Sequence, residues 1–306
     1  MYLSSDFVTA IKRRAAVPTA QITFQNSDFY QLIDEEIRSK MIPLILSNLE
    51  ELYVRQLNYP IQANQSSYLI PSRAIASSLR DVMVVSSTND LDRRPLDRLA
   101  PEDLYTSTSG GGRNRIAVGK NGFYLEGNNV ILFPTPTAAQ NILRLSYYCR
   151  PNSVVDVNAC AQVQTINSAL NQITVASLPT SFSASTPLDF VKANPGFECS
   201  ALDQVPATIV GMTLTFSNSL PKDLAIGDYI CLAGQSCVIQ APVELQPLLV
   251  QYVTVRILSS QGDTEALRSA LSELEKLEKN ANLLISPRVI GKAKRVINSK
   301  SVLRFV

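Results

Sequence analysis

VELQPLLVQYVTVRILSSQGDTEALRSALSELEKLEKNANLL, residues 243–284, decides the fold. Apolar residues recur at three- and four-residue intervals from Val243 to Ser260 and again from Thr264 to Leu284, which predicts two helices. Gly262-Asp263 breaks the run, so the pair reads as an antiparallel helical hairpin. In the second helix Leu267, Leu271, Leu274, Leu277 and Leu284 form one stripe, with Glu273, Glu275, Lys276, Glu278 and Lys279 largely opposite. The stripe places Leu271 in the core, and Ser286-Pro287 ends the helix.

A matching pattern stands near the other end of the chain. Asp28 as a cap with Gln31 three positions on, followed by Phe29, Ile33, Ile37, Leu44, Ile45, Leu49, Leu52 and Tyr53 at helical spacing, predicts a helix to about Asn58. Pro43 interrupts its interior, which predicts a kink with a freed carbonyl. A shorter helix capped by Ser4 is expected over Asp6 to Ala15, stopping before Val17-Pro18. Helices this far apart in sequence bury their apolar faces against each other, so the two ends form one base.

Between them the sequence is strand-like and broken by Pro, Gly, Asn and Ser. Tyr68 to Pro71 reads as a strand, Ser72 to Asp81 as a short helix or turn, and Val82 to Ser86 as a strand. Phe123 to Glu126 and Val130 to Phe133 read as a hairpin around Gly127-Asn128, with Ile142 to Tyr148 as its third partner. From Val154 a separate small sandwich or barrel is expected, in which Val163–Ile166 pairs with Ile173–Val175. In the same unit Thr208–Val210 pairs with Thr213–Phe216 across Gly211, and Tyr229–Leu232 with Cys237–Ile239 across Gly234. The expected architecture is α+β: a helical-bundle base from the N- and C-terminal helices, a large inserted antiparallel β elaboration and an extended C-terminal arm. Its expected divisions are 1–66, 67–152 with a long loop over 87–121, 153–240, 241–285 and 286–306.

The chemistry of the chain is quiet. With 45% hydrophobic and 18% charged residues over 306 positions it is ordinary globular usage. No run of 18 apolar residues predicts a membrane span, and Met1 to Asp6 has no signal-peptide character, so synthesis in the cytoplasm is expected. There is no histidine, which removes the usual general base, metal ligand and partner of nucleophilic Ser or Cys. Five cysteines, none in a CxxC pair, read as buried apolar thiols. Gly110, Gly111 and Gly112 with Gly119-Lys120 do not match the phosphate-binding loop pattern and read as a loop tip. Asp90, Asp92 and Asp97 lie among Arg93, Arg94 and Arg98 and read as a solvated, ion-paired loop. No catalytic residue, cofactor or metal is expected, and no cleft is expected to gather two or more acidic groups with shifted ionisation.

Charge is unevenly placed. Residues 286–306 hold six of the 28 basic residues and none of the 26 acidic ones, so residues 1–285 carry 22 basic against 26 acidic groups, a net of −4. The arm interleaves Arg288, Lys292, Lys294, Arg295, Lys300 and Arg304 with aliphatic and aromatic residues that end in Val302, Leu303, Phe305 and Val306. A protein surface, a phosphate backbone and an unstructured end are all open readings of it.

The order of several packing motifs carries a resemblance. FYQLIDEEIRSKMIPLILSNLEELYV (29–54), YLIPSRAIASSLRDV (68–82), FYLEGNNVILFPTP (123–136), LRLSYYCRPN (143–152), GDYICLAG (227–234) and the helical hairpin running into ISPRVIGKAKRV (285–296) resemble the head-to-tail adaptor, or connector, proteins of tailed bacteriophages. The resemblance implies a structural virion protein and not an enzyme: a subunit of a homo-oligomeric ring, commonly of about twelve copies, seated beneath the portal protein in the virion neck. Such a ring extends the channel through which double-stranded DNA passes, joins tail or nozzle proteins, and docks its C-terminal extension into the portal. It implies portal docking by Arg288, Lys292, Lys294, Arg295, Lys300, Val302, Leu303, Arg304, Phe305 and Val306. A mildly acidic body suits a lumen that DNA must cross without sticking. The loop over 87–121, with Arg93, Arg94, Arg98, Arg113 and Arg115, is the expected contact between ring neighbours. Another neck, collar or tail ring component that anchors tail or fibre proteins is the alternative.

Overall fold

The computed structural model describes residues 3–17, 24–87, 92–100, 122–139, 141–194 and 198–285. Both helical ends meet in one layer. Its axis is α4 (Gln246–Gln261), whose side chains Leu249, Val253 and Ile257 are fully buried among α1 (Ser4–Arg14), α2 (Asn26–Glu36) and α5 (Thr264–Leu284). A helix apolar on nearly all sides belongs in this central place. Two of its buried polar residues are satisfied inside: Gln251 accepts from Arg14 at 2.9 Å and donates to the Ala270 carbonyl at 2.9 Å, and Thr254 donates to the Val250 carbonyl at 2.8 Å. Gly262 takes a left-handed φ of 75°, and Asp263 accepts from the Ala266 N–H at 3.0 Å, so the break between α4 and α5 is a glycine stop followed by a side-chain cap.

Four local expectations are corrected here. Ser4 does not cap α1 but is its first residue; Leu3 precedes the helix, and Asp6 accepts the Leu3 N–H at 3.3 Å. Likewise Asp28 lies inside α2 and reaches back to the Gln25 N–H at 2.8 Å. The helix expected to Asn58 ends at Asn48. After α2 comes one π turn, Ile37–Met41, in which the Ile42 N–H donates to the Ile37 carbonyl, and then α3 (Ile42–Asn48) with Pro43 in its first turn. The kink anticipated at Pro43 thus takes the form of an extra residue in the turn before it. Beyond a short turn at Glu50–Tyr53, Val54–Pro60 is β1, because pairing along its whole length with β8 (Ile142–Cys149) overrides the helical spacing. Leu271 is 47% exposed while Leu274 is 8% exposed, so the apolar stripe of α5 is wider than the face that α4 covers.

Two four-stranded sheets follow. The first has the order β1, β8, β3 (Ala74–Val85) and β4 (Arg93–Pro95), all antiparallel. Pro60 and Pro95 both fall on its edge strands, where a missing N–H costs least. The span expected as a turn over Ser72–Asp81 is mostly strand: β3 runs through it with a kink at Ala76 and Ser77, φ 50° and 54°, where its register against β8 shifts. The second sheet has the order β2 (Ser67–Leu69), β7 (Asn129–Phe133), β6 (Gly122–Glu126) and β5 (Asp97–Arg98). Its β6–β7 hairpin turns at Gly127-Asn128 as the sequence predicts, but Ile142–Cys149 belongs to the first sheet and not to this hairpin. Tyr68, Val130 and Leu132 of the second sheet share one core with Val82, Leu143 and Leu145 of the first.

The rest of the insertion is a rolled sheet of seven strands. They are β10 (Ala161–Asn167), β11 (Gln172–Val175), β12 (Leu188–Val191), β13 (Cys199–Gln204), β14 (Pro206–Val210), β15 (Thr213–Phe216) and β16 (Tyr229–Leu232), in the order β13-β12-β16-β10-β11-β15-β14. The strands at its two ends are joined by Val205 alone. Phe190 of β12 meets Phe216 of β15 edge to face at 5.2 Å, four places along the row, so the sheet closes around a core of Val163, Ile173, Leu188 and Leu214. The hairpins expected across Asn167–Asn171 and Gly211 are present. The strand expected over Cys237–Ile239 is not: β17 (Gln235–Ser236) pairs in parallel with β9 (Ser153–Val154), and Val238 makes a single bridge to Leu3.

Candidate functional site

The parts are joined at a buried ion pair. Arg73, on the turn before β3, donates from Nη1 to Asp189 Oδ2 at 2.6 Å and from Nη2 to Asp189 Oδ1 at 2.9 Å, and Nη2 also reaches Asp203 Oδ1 at 2.7 Å. Asp189, wholly buried on β12, accepts three further bonds, from Asn152 Nδ2 and from the backbone of Asp203 and Gly234, at 2.8 to 2.9 Å. Burial opposes the charge on Arg73, but the bonds and charges of Asp189 and Asp203 outweigh it and push its pKa above an already high value. Next to this cluster the Asn152 N–H donates to Gln240 Oε1 at 2.6 Å, and Tyr53 donates to the Gln240 carbonyl at 3.3 Å. Stacked sheets, rolled sheet and helical layer are thereby held in register. Sequence reading missed this joint, since an ion pair 116 residues apart leaves no local pattern.

A groove of about 710 Å³ beside α2 corrects the expectation that no cleft gathers acidic groups with shifted ionisation. Burial raises the pKa of Asp34, whose Oδ1 accepts the Val154 N–H at 2.8 Å. Asp156 is lowered, first by the Asn158 N–H at 2.9 Å and also by the bond that Tyr30 donates to it at 2.8 Å. Both carboxylates therefore fasten main chain to side chain. On the adjoining helical surface Arg256 pairs with Glu35 at 2.7 Å and Glu36 at 3.1 Å, and Lys40 lies 4.2 Å over the Tyr252 ring.

Of the expected ring-contact residues, Arg93 and Arg94 lie on β4 and Arg98 on β5, all exposed. Residues 92–100, expected within one long loop, form two short edge strands, β4 on the first sheet and β5 on the second. Arg94 contacts Asp92 at 3.4 Å, which bears out the ion-paired character of this stretch. A cleft of about 650 Å³ lies beside it, lined among others by Asp92, Arg94, Leu96 and Phe133. Gly122 lets β5 approach β6, since a Cβ there would stand 2.6 Å from the Asp97 carbonyl oxygen. Arg113 and Arg115 lie outside the described residues, as does the whole portal-docking set from Arg288 to Val306.

One end of the rolled sheet exposes apolar side chains. Val210 is 75%, Met212 49% and Ile226 71% exposed, and all three lie at one end of the sheet, since the Val175 N–H donates to the Met212 carbonyl, Val163 pairs with Val175 and the Gly227 N–H donates to the Val163 carbonyl. All five cysteines are buried, as expected, but Cys160, Cys231 and Cys237 converge, with their sulfurs within 4.8 Å of one another. Hydrogen bonds from Cys231 and Cys237 pull the Cys160 thiol below its ordinary range, while burial pushes Cys231 above it.

No helix among the described residues is long and apolar enough to cross a membrane. No curated protein matches the chain. The model of the SU10 adaptor protein family matches residues 4–188, from the start of α1 to the first residue of β12. With well over half its length inside that match, the chain belongs to the SU10 adaptor protein family, a family of phage head-to-tail adaptors.

Proposed function

We propose that this chain is the repeating subunit of a ring, of about twelve copies, that sits beneath the portal in the virion neck, extends the DNA channel and receives tail or nozzle proteins. The family match over residues 4–188 carries this reading. The helical layer serves as the base, the sheets project from it, and residues 286–306 are the portal-docking arm. An arm of that length spans up to about 3.3 Å per residue when extended, enough to enter a crevice between portal subunits. Its six basic residues steer it to an acidic surface, and Val302, Leu303, Phe305 and Val306 anchor its tip. Arg93, Arg94 and Arg98, with Arg113 and Arg115, meet the neighbouring copy. The net charge of −4 over residues 1–285 suits a lumen that holds no phosphate tightly.

The test is to image purified full-length chain with portal rings, beside a chain lacking residues 287–306. The expected result is a closed ring stacked on the portal, with the shortened chain folded but unattached. Attachment of the shortened chain at full stoichiometry removes the arm's role. Binding to tail proteins with none to portal would reassign the chain to a collar or tail ring.

A further inference from the structure

Cys160, Cys231 and Cys237 come from three separate pieces of chain. Tyr229 pairs with Gln162 and Ile230 with Ala161, and continuing that register by one residue sets Cys160 opposite Cys231 across neighbouring strands. Cys237 arrives from the segment beyond Ser236, pinned by the Ser4 N–H donating to its carbonyl at 2.8 Å and by the Leu3–Val238 bridge. Val191, Val238 and Tyr229 wall the three sulfurs, each of which belongs to a residue at most 3% exposed. Among the described residues no fourth Cys, Asp or Glu joins the group.

We propose that these three cysteines form a trithiolate site for one thiophilic metal ion, Cu(I) or Zn(II). Three sulfurs around one ion at about 2.3 Å stand about 4 Å apart, so sulfurs already within 4.8 Å need only a small contraction. Thiolate sulfur selects soft cations, and a set of three without a fourth protein ligand favours trigonal Cu(I); Zn(II) would complete a tetrahedron with a water carried in with it. Each sulfur that coordinates gives its proton to solvent, and the ion enters as the chain folds, because the finished site is closed. Three mutually close thiols suit a metal better than a disulfide, which would leave the third thiol beside it to exchange. The ion would tie β10, β16 and the start of α1 at one point.

The experiment uses full-length wild-type chain, reduced and freed of metal, titrated separately with Zn(II) alone and with Cu(I) alone. Elemental analysis after desalting is expected to find about one equivalent of either ion per chain, with a raised Tm. X-ray absorption at the metal edge of the folded chain is expected to find sulfur neighbours at about 2.3 Å, three of them around Cu(I). Cys231→Ser should lose the ion while Cys149→Ser keeps it; the absorption spectrum of folded wild type decides the matter if Cys231→Ser does not fold. Retention of neither ion by folded wild type, or a disulfide between any two of the three, overturns the site.

Discussion

Arg73 grips Asp189 with both terminal nitrogens of its guanidinium, at 2.6 and 2.9 Å, and in doing so locks the turn before β3 to β12. Arg73→Met leaves a wholly buried carboxylate without its cation, and a loss of about 3 to 5 kcal/mol is expected in urea denaturation. Asn at 189 removes the uncompensated charge and keeps one oxygen, enough for the Gly234 or the Asp203 N–H but not for both, so Asp189→Asn in the Arg73→Met background should recover part of that loss. A loss below about 1 kcal/mol for Arg73→Met would show that the pair is not what joins the sheets.

On α5 two leucines one turn apart should behave differently. Leu274→Ala empties a place in the helical core and is expected to cost about 2 to 5 kcal/mol. Leu271→Ala touches a half-exposed side chain and should stay within about 0.5 kcal/mol in the free chain. Equal melting temperatures for the two variants would contradict the packing of α4 on α5.

The two carboxylates beside α2 respond to acid in opposite senses. Asp156 has a lowered folded pKa, so the stability it contributes is present above its unfolded value of about 4 and disappears as pH falls through the folded value. Asp34 has a raised one, so its contribution is greatest below about pH 4 and is lost as pH climbs through the folded value. Asp156→Asn should therefore be destabilised at pH 7 and approach wild type near pH 3. Asp34→Asn should gain on wild type between those limits, its amide oxygen still accepting the Val154 N–H. Urea midpoints at both pH values separate the two, and parallel curves would refute the assignment.

Charge reversal at the proposed ring contact should leave the monomer intact. Arg93, Arg94 and Arg98 changed together to Glu alter exposed side chains on edge strands, so each should shift stability by no more than about 0.5 kcal/mol. Mass photometry is expected to find the ring population reduced in favour of single subunits. An unchanged distribution would place the contact elsewhere.

What was legible in the sequence was whatever short-range chemistry dictates. The bounds of α5, Thr264–Leu284, follow from Gly262 and Asp263, and the hairpins at Gly127 and Gly211 follow from turn residues. Readings failed where distant partners decide. Residues 54–58 were expected to continue a helix but are claimed by β8, and Leu271 continues a stripe that no helix among the described residues covers. Arg73 with Asp189, and the cysteine trio, arise only when remote segments meet, so spacing carried no trace of either. The family, by contrast, was recognisable from the order of its packing motifs.

The bond from the Ser4 N–H to the Cys237 carbonyl, and the packing of α1 on α4, also set a timetable. A ribosome adding about 5 to 20 residues per second makes Ser4 on the order of ten to fifty seconds before its partner exists. Through that interval Phe7, Ile11, Phe29 and Ile33 have no α4 to cover them, while the two four-stranded sheets, complete at Cys149, can already close on their shared core. The helical layer is thus the last part to set. The chain acquires this layer only when translation has passed α4, so an unfinished chain would have no completed surface to offer the proposed ring.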